Sequence, residues 1–449
     1  MQNISPIDGR YQEETKELVS FFSESALFRY RLMVEIEYLI ALSQEEKIIE
    51  LKPFTSAEEL KLKSIYINFS DKHAEIIKKI ENQTHHDVKA IEYFLQIILK
   101  KVGRQKYIPF IHFALTSEDI NNLAYSLMWR DALQNCYLSQ IQELTKELQH
   151  RALEYKNIPL LSLTHGQPAS PTTLGKEFAV YTERLKRQIK QLKSHTLPGK
   201  LSGATGTWAA HQIAYPEIDW VGFSRKFIRS FDLEPQLIST QINSYDSLAE
   251  SYHNIIRINN ILTDFSRDIW LYISRGIFIQ EKKAGEIGSS TMPHKINPID
   301  FENAEGNLGL ANSVLNHLAG TLPISRMQRD LSGSTVIRNQ GVPLAHSLLA
   351  CKSIIKGLNR ITPNEQNIKQ ELNNHWEVLA EAIQTILRKH GHVDAYERLK
   401  KLTRGEKITR ENLQKIILSL NLPEREKEKL FNLRPDNYIG IADKLVDLI

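Results

Sequence analysis

Residues 285–298 read GEIGSSTMPHKINP. Gly285 and Gly288 give this stretch backbone freedom, and Ser289 and Ser290 give it hydroxyls. Pro293 and Pro298 stiffen its second half, so that Lys295 and Asn297 sit on a restrained frame. As chemistry, this is a loop that closes over an anionic substrate, with one serine as base and the lysine ammonium holding developing negative charge. As plain structure, it is a Gly/Ser/Pro surface turn. Composition alone favours the turn, because serine becomes a base only where donors and a cation stabilise its alkoxide.

Four other stretches carry chemistry of the same kind. In SLTHGQPASPTTLGKE (162–177), His165 lies in a Gly/Pro loop ahead of an amphipathic helix. Histidine titrates near neutrality and is the usual general acid or base, although a loop histidine bonded to its own backbone looks the same in sequence. FALTSEDINNLAYSL (113–127) reads as a helix start, with Thr116 or Ser117 as N-cap and Glu118 and Asp119 completing a capping box. Such an end presents N–H groups to a carboxylate or phosphate, but capping needs no ligand. In QTHHDVKAIEYF (83–94), adjacent His85, His86 and Asp87 are poorly placed to share one metal ion and better placed to hydrogen-bond an anion at a helix start. In SRMQRDLSGSTVIRN (325–339), Arg326, Arg329 and Arg338 flank a hydroxylic run, which suits a phosphate or dicarboxylate and equally a solvated charge run. The glycine-rich GKLSGATG (199–206) fits no nucleotide-loop order and is read as a loop between helices.

Helical periodicity dominates the rest. Leu174, Phe178, Tyr181, Leu185, Ile189 and Leu192 recur by threes and fours, as do Leu248, Tyr252, Ile255, Ile258, Leu262, Phe265 and Ile269. Stripes of this length belong to long helices that must pack on one another. Residues 305–320 read as a further helix, and strand signals are sparse. Gly103 with Pro109, and later Pro363, mark breaks. The expected architecture is all-α in three parts: an N-terminal helical domain over 1–111, a central long-helix bundle over 112–364 carrying the 285–298 loop, and a C-terminal helical domain over 365–449.

Bulk properties exclude several classes. The chain has 449 residues, 41% hydrophobic and 24% charged, with a net charge of +4. No dense basic stripe interleaved with aromatics points to nucleic acid, and no apolar run approaches the ~20 residues of a membrane span. Two cysteines, Cys136 and Cys351, have no metal-type spacing and read as buried thiols of a reducing compartment. The N-terminus has no apolar signal region, so the expected location is the cytoplasm.

Taken together and in this order, the stretches resemble the fumarase/aspartase superfamily. GSSTMPHKINP (288–298) matches its signature loop. Within it the chain is most similar to the bacterial adenylosuccinate lyase family, through SPIDGRY (5–11), HDVKAIEYF (86–94), FIHFALTSEDINN (110–122), LTHGQPASPTTLGKE (163–177), AGEIGSSTMPHKINPIDFENAEGN (284–307) and RDLSGSTVIRN (329–339). That resemblance implies β-elimination of fumarate from adenylosuccinate, giving AMP, and from the succinyl-carboxamide ribotide SAICAR, giving AICAR, in purine biosynthesis. It implies no cofactor and no metal, and a homotetramer whose central helices form one bundle and whose sites combine three subunits.

Position by position, the resemblance makes Ser289 the base and His165 the acid, with His86 able to share the proton chemistry. Lys295 and Asn297 would stabilise the carboxylate's developing charge, Ile296 between them would touch substrate, and Ser290, Thr116, Ser117 and Gln241 would orient the succinyl group. Arg10 and Tyr11 would reach the nucleotide, with His85, His86, Asp87 and Asn303 nearby. Arg329 and Arg338, with Ser334, Thr335, Val336 and Ile337 between them, would hold nucleotide and phosphate. His85 and Gly333 depart from the family pattern and touch fine substrate contacts rather than the reaction. Argininosuccinate lyase, fumarase, aspartase and a cycloisomerase share the signature loop, so another substrate within the superfamily stands as the alternative. A non-catalytic structural homologue is another, though it would be expected to lose Ser289, His165 or Lys295, and all three are present.

Overall fold

The computed structural model describes residues 3–281, 292, 295–403 and 408–449, with the backbone alone at 398 and 401–403. Long helices build it, and both stripes read from sequence lie inside. Leu174, Phe178, Tyr181, Leu185, Ile189 and Leu192 are all buried on the helix Leu174–Ser194. Leu248, Tyr252, Ile255, Ile258, Leu262, Phe265 and Ile269 are all buried on the 29-residue helix Asp246–Ser274. At 1.5 Å per residue the second is roughly 44 Å long. The expected helix over 305–320 runs Ile299–Thr321.

The chain clusters into two compact units that interleave in sequence. The first is Met1–Ile141, Gln188–Asn260 and Gly306–Ala350, and the second is Gln142–Arg187, Ile261–Glu305 and Cys351–Ile449. These units cut the chain differently from the three consecutive segments, because helices that pass along a bundle bring distant stretches of chain side by side.

In the first unit, Glu24–Ser43 packs against Ser117–Ala132, and both are buried nearly all round. Ser23 caps the former by accepting the Ala26 N–H. Trp129 donates its indole N–H to Ser251 at 2.9 Å and meets Tyr252 edge-on at 4.8 Å. Asn259 donates to Asn312 and Ser347, tying three helices together through one amide. In the second unit, Phe178 meets Phe265 edge-on, and Tyr181 donates to Asp268.

Three two-stranded ladders interrupt the helices. The largest pairs Pro159–Thr164 with Gln167–Thr173, antiparallel, closed by the two residues His165 and Gly166. Both have positive φ, 54° and 72°, the geometry of a tight hairpin turn, which glycine adopts freely and histidine does not. The 199–206 stretch is more than a loop between helices, since Pro198–Gly199 pairs in parallel with Glu234–Pro235. Gly206 at φ 73° brings its backbone so close to Ser239 that an added Cβ would lie 2.1 Å from the carbonyl oxygen.

Cys351 is buried as expected, but Cys136, in the one-turn π-helix Leu133–Tyr137, is only half-buried; neither is disulfide-bonded. Among the described residues, no helix is long and apolar enough to cross a membrane.

His211 is fully buried, with Nε2 3.1 Å from the Tyr38 hydroxyl and Nδ1 without a partner among the described residues. Burial pushes its pKa down from 6.5 to about 4. A folded value below the unfolded one means the contribution is complete above pH 6.5 and is lost as pH falls towards 4, at up to about 1.4 kcal/mol per pH unit. Unfolding free energies from denaturant titrations at pH 7 and pH 5 will therefore differ less in His211→Phe than in the parent chain, by on the order of 2 kcal/mol. Equal acid losses in both would contradict this.

Candidate active site

The candidate residues fall into two groups by unit. In the first unit, helix Asp71–Thr84 stops at His85, whose φ of 52° is left-handed, and His86 caps the next helix, Asp87–Lys101. His86 Nδ1 accepts the Lys89 N–H at 3.2 Å, so in the neutral ring the proton sits on Nε2 of this exposed side chain. Asp87 accepts from Arg31 at 2.7 Å and from Arg338 at 3.1 Å. Burial opposes ionisation of Asp87, but Arg31, helped by the Val88 N–H and Arg338, outweighs it and holds the carboxyl below its usual range.

Thr116 is an N-cap, as the sequence indicates, with its N–H donated to Asp119 at 2.9 Å and Ser117 as the first helical residue. Asp119 also accepts Lys200 Nζ at 2.8 Å and the Ser202 N–H at 2.9 Å, and both Asp119 and Lys200 are wholly buried. The 199–206 loop is thereby fastened to the helix end that carries Thr116 and Ser117. The sequence reading missed Lys200, which a lysine placed between two glycine-bearing turns does not announce.

Arg329 donates to Gln241 at 3.2 Å and to Ser334 at 3.2 Å, and pairs with buried Glu118 at 3.1 Å. Gln241 donates to the Ala204 carbonyl at 2.9 Å. A small cavity borders this cluster, lined in part by Glu118, Tyr125, Tyr245, Arg329, Gly333 and Ser334. Thr335 is exposed and Val336 half-buried on the short helix Ser332–Ile337, whereas the Ile337 side chain is buried in the core, leaving only its backbone for a ligand. Arg326 is exposed and pairs with Asp330. Arg10 is exposed, its guanidinium 5.8 Å from the ring centroid of half-buried Tyr11.

In the second unit, His165 is exposed at the hairpin tip. Lys295 is exposed and donates its N–H to the Met292 carbonyl, and the Ile296 carbonyl accepts from Gln280 at 2.9 Å. Half-buried Asn297 precedes Pro298, whose carbonyl accepts the Phe301 N–H at the start of helix Ile299–Thr321. Asn303 donates to Ser353 at 3.2 Å. Ser289 and Ser290 lie outside the described residues. Among the described residues, no group of three His, Cys, Asp or Glu side chains is set to hold a metal ion.

The helical architecture matches solved structures at identities that speak to fold alone. A fumarate lyase from Mesorhizobium sp. BNC1 superposes with TM-score 0.74 at 18% identity, covering 96% of this chain and 97% of that one. A 3-carboxy-cis,cis-muconate lactonizing enzyme from Pseudomonas putida gives TM-score 0.72 at 20% identity, covering 96% of each chain. Both likenesses define the fold class alone, one of long packed helices. A lyase family model matches residues 9–312, and an adenylosuccinate lyase C-terminal model matches 325–439. The adenylosuccinate lyases of Haemophilus influenzae and Escherichia coli K12 are 49% and 46% identical, each over 99% of this chain and 98% of its own length. That of Legionella pneumophila strain Philadelphia 1 is 48% identical over 99% and 97%. The chain belongs to the adenylosuccinate lyase family.

Proposed function

We propose that this chain eliminates fumarate from adenylosuccinate to give AMP, and from SAICAR to give AICAR. Full-length identity near one half to adenylosuccinate lyases supports the substrate. The grouping of Arg329, Ser334, Arg338, Asp87 and His86 within one unit suits its nucleotide end.

Ser289 takes the proton next to a carboxylate, an acid of very high pKa. The C–H electron pair passes through an aci-carboxylate that Lys295, Asn297 and the donors of Ser290, Thr116, Ser117 and Gln241 hold. That pair then forms the C=C bond of fumarate as the C–N bond breaks. The C–N pair stays on the purine N6, which takes a proton from His165. His86, whose Nδ1 accepts the Lys89 N–H, serves the nucleotide side and can share the proton chemistry through Nε2. The working form is a cytoplasmic homotetramer with composite sites. The divisions at 111 and 364 separate its terminal helical domains from the bundle.

Ultraviolet absorbance with adenylosuccinate tests the reading: AMP and fumarate should appear in equal amounts. Lys295→Met should lose roughly 10²–10³ in kcat with little change in melting temperature, since the ammonium serves a charge that exists only during turnover. Turnover of argininosuccinate in place of adenylosuccinate would overturn the substrate, and a collapsed melting temperature with kcat intact would overturn the role of Lys295.

A further inference from the structure

Four side chains outside the hydroxylic run, Asp87, Arg31, Asn121 and Glu118, connect Arg338 to Arg329 without a break. Arg338 Nη2 lies 3.1 Å from Asp87 Oδ2, the same oxygen lies 2.7 Å from Arg31 Nη2, and Arg31 Nε donates to Asn121 Oδ1 at 2.9 Å. Asn121 Nδ2 donates to Glu118 Oε1 at 3.1 Å, and that oxygen pairs with Arg329 Nη2 at 3.1 Å. Arg31, Asn121 and Glu118 are all buried. Only a side chain with an acceptor at one end and a donor at the other joins a guanidinium to a carboxylate, so the orientation of the Asn121 amide is set by its neighbours. Tyr245 adds a bond to the second Glu118 oxygen at 3.4 Å.

We propose that Arg31, Asn121 and Glu118 are positioning residues that set the spacing of Arg329 and Arg338 for the 5′-phosphate of the nucleotide; this rests on the function proposed above. Buried polar networks of this kind are rigid because every displaced member leaves a partner unpaired in a medium that cannot hydrate it. The charge count agrees. Three guanidiniums face two carboxylates, leaving one positive charge for an incoming anion. The two outer arginines are the more exposed ends, with side chains 54% and 24% accessible, while Arg31 and Glu118 in the middle are 2% and 4%. Asp87, held ionised below its usual range, keeps the Arg31–Arg338 link charged through neutral pH.

The test compares AMP with adenosine as competitive inhibitors of adenylosuccinate turnover, because their ratio isolates the phosphate. Asn121→Leu changes no charge, and should lower the AMP preference about tenfold while adenosine affinity stays within about threefold. Glu118→Gln serves as the second variant, should the first fail to assemble. Removing that acid would tighten AMP by Coulomb attraction alone, whereas lost positioning weakens it. Parent-like AMP preference in Asn121→Leu, an equal loss for AMP and adenosine, or tighter AMP binding in Glu118→Gln overturns the relay. A parent enzyme that turns over adenylosuccinate yet does not prefer AMP to adenosine overturns the phosphate reading on which it stands.

Discussion

Ser289→Ala will lower kcat on adenylosuccinate by roughly 10²–10⁴-fold, the range for loss of a general base, while melting temperature and the mass in solution stay at parent values. Serine deprotonates a carbon acid only as an alkoxide, and an alkoxide survives only among fixed donors and a cation. The loop supplies such a cation in Lys295, six positions on in the sequence and restrained between Pro293 and Pro298. Alanine keeps the Cβ and removes only the hydroxyl that the proposed proton abstraction needs. Steady-state absorbance and mass measurement on the same preparation decide the matter. Unchanged kcat would move the base elsewhere.

The second large effect is on stability. Lys200→Met will cost about 3–5 kcal/mol, the range for stripping one partner from a buried ion pair. Asp119 would be left charged and unmatched in a site with no access to water. Lys200 Nζ also donates to the Gly203 carbonyl at 2.8 Å, and the Lys200 backbone exchanges two hydrogen bonds with the Asn122 amide, at 2.7 and 2.9 Å. Adding Asp119→Leu to Lys200→Met should return part of the loss, because an apolar pair leaves no uncompensated charge. Urea midpoints at one fixed protomer concentration measure all three variants. A Lys200→Met loss under about 1 kcal/mol, or no recovery in the double variant, would show that the pair is not what holds the loop.

The 199–206 loop shows where reading by sequence stops. Its glycines fit no nucleotide pattern, and nothing in eight residues reveals that Lys200 will meet Asp119, 81 positions earlier. The hairpin at His165 was nearer to legible. Two residues with positive φ, the second a glycine, close paired strands there, but Pro168 and Pro171 hide the strand pattern. Arg31 was missed altogether, for it stands among apolar residues on Glu24–Ser43, and its partners Asp87 and Asn121 are 56 and 90 positions away.

What the sequence determined by itself was local or periodic. The buried stripes of Leu174–Ser194 and Asp246–Ser274, the cap at Thr116 and the helix start at Asp87 each arise from residues within a turn or two of one another. The order of the chemical motifs could also be read directly, because a motif needs no fold to be seen. The tertiary structure decided which charges neutralise which: Lys200 with Asp119, Arg31 with Asp87, and Arg329 with Glu118. The physical reason is that a helix stripe is written at a spacing of three and four, whereas a buried ion pair is written only in the packing that excludes water from both partners.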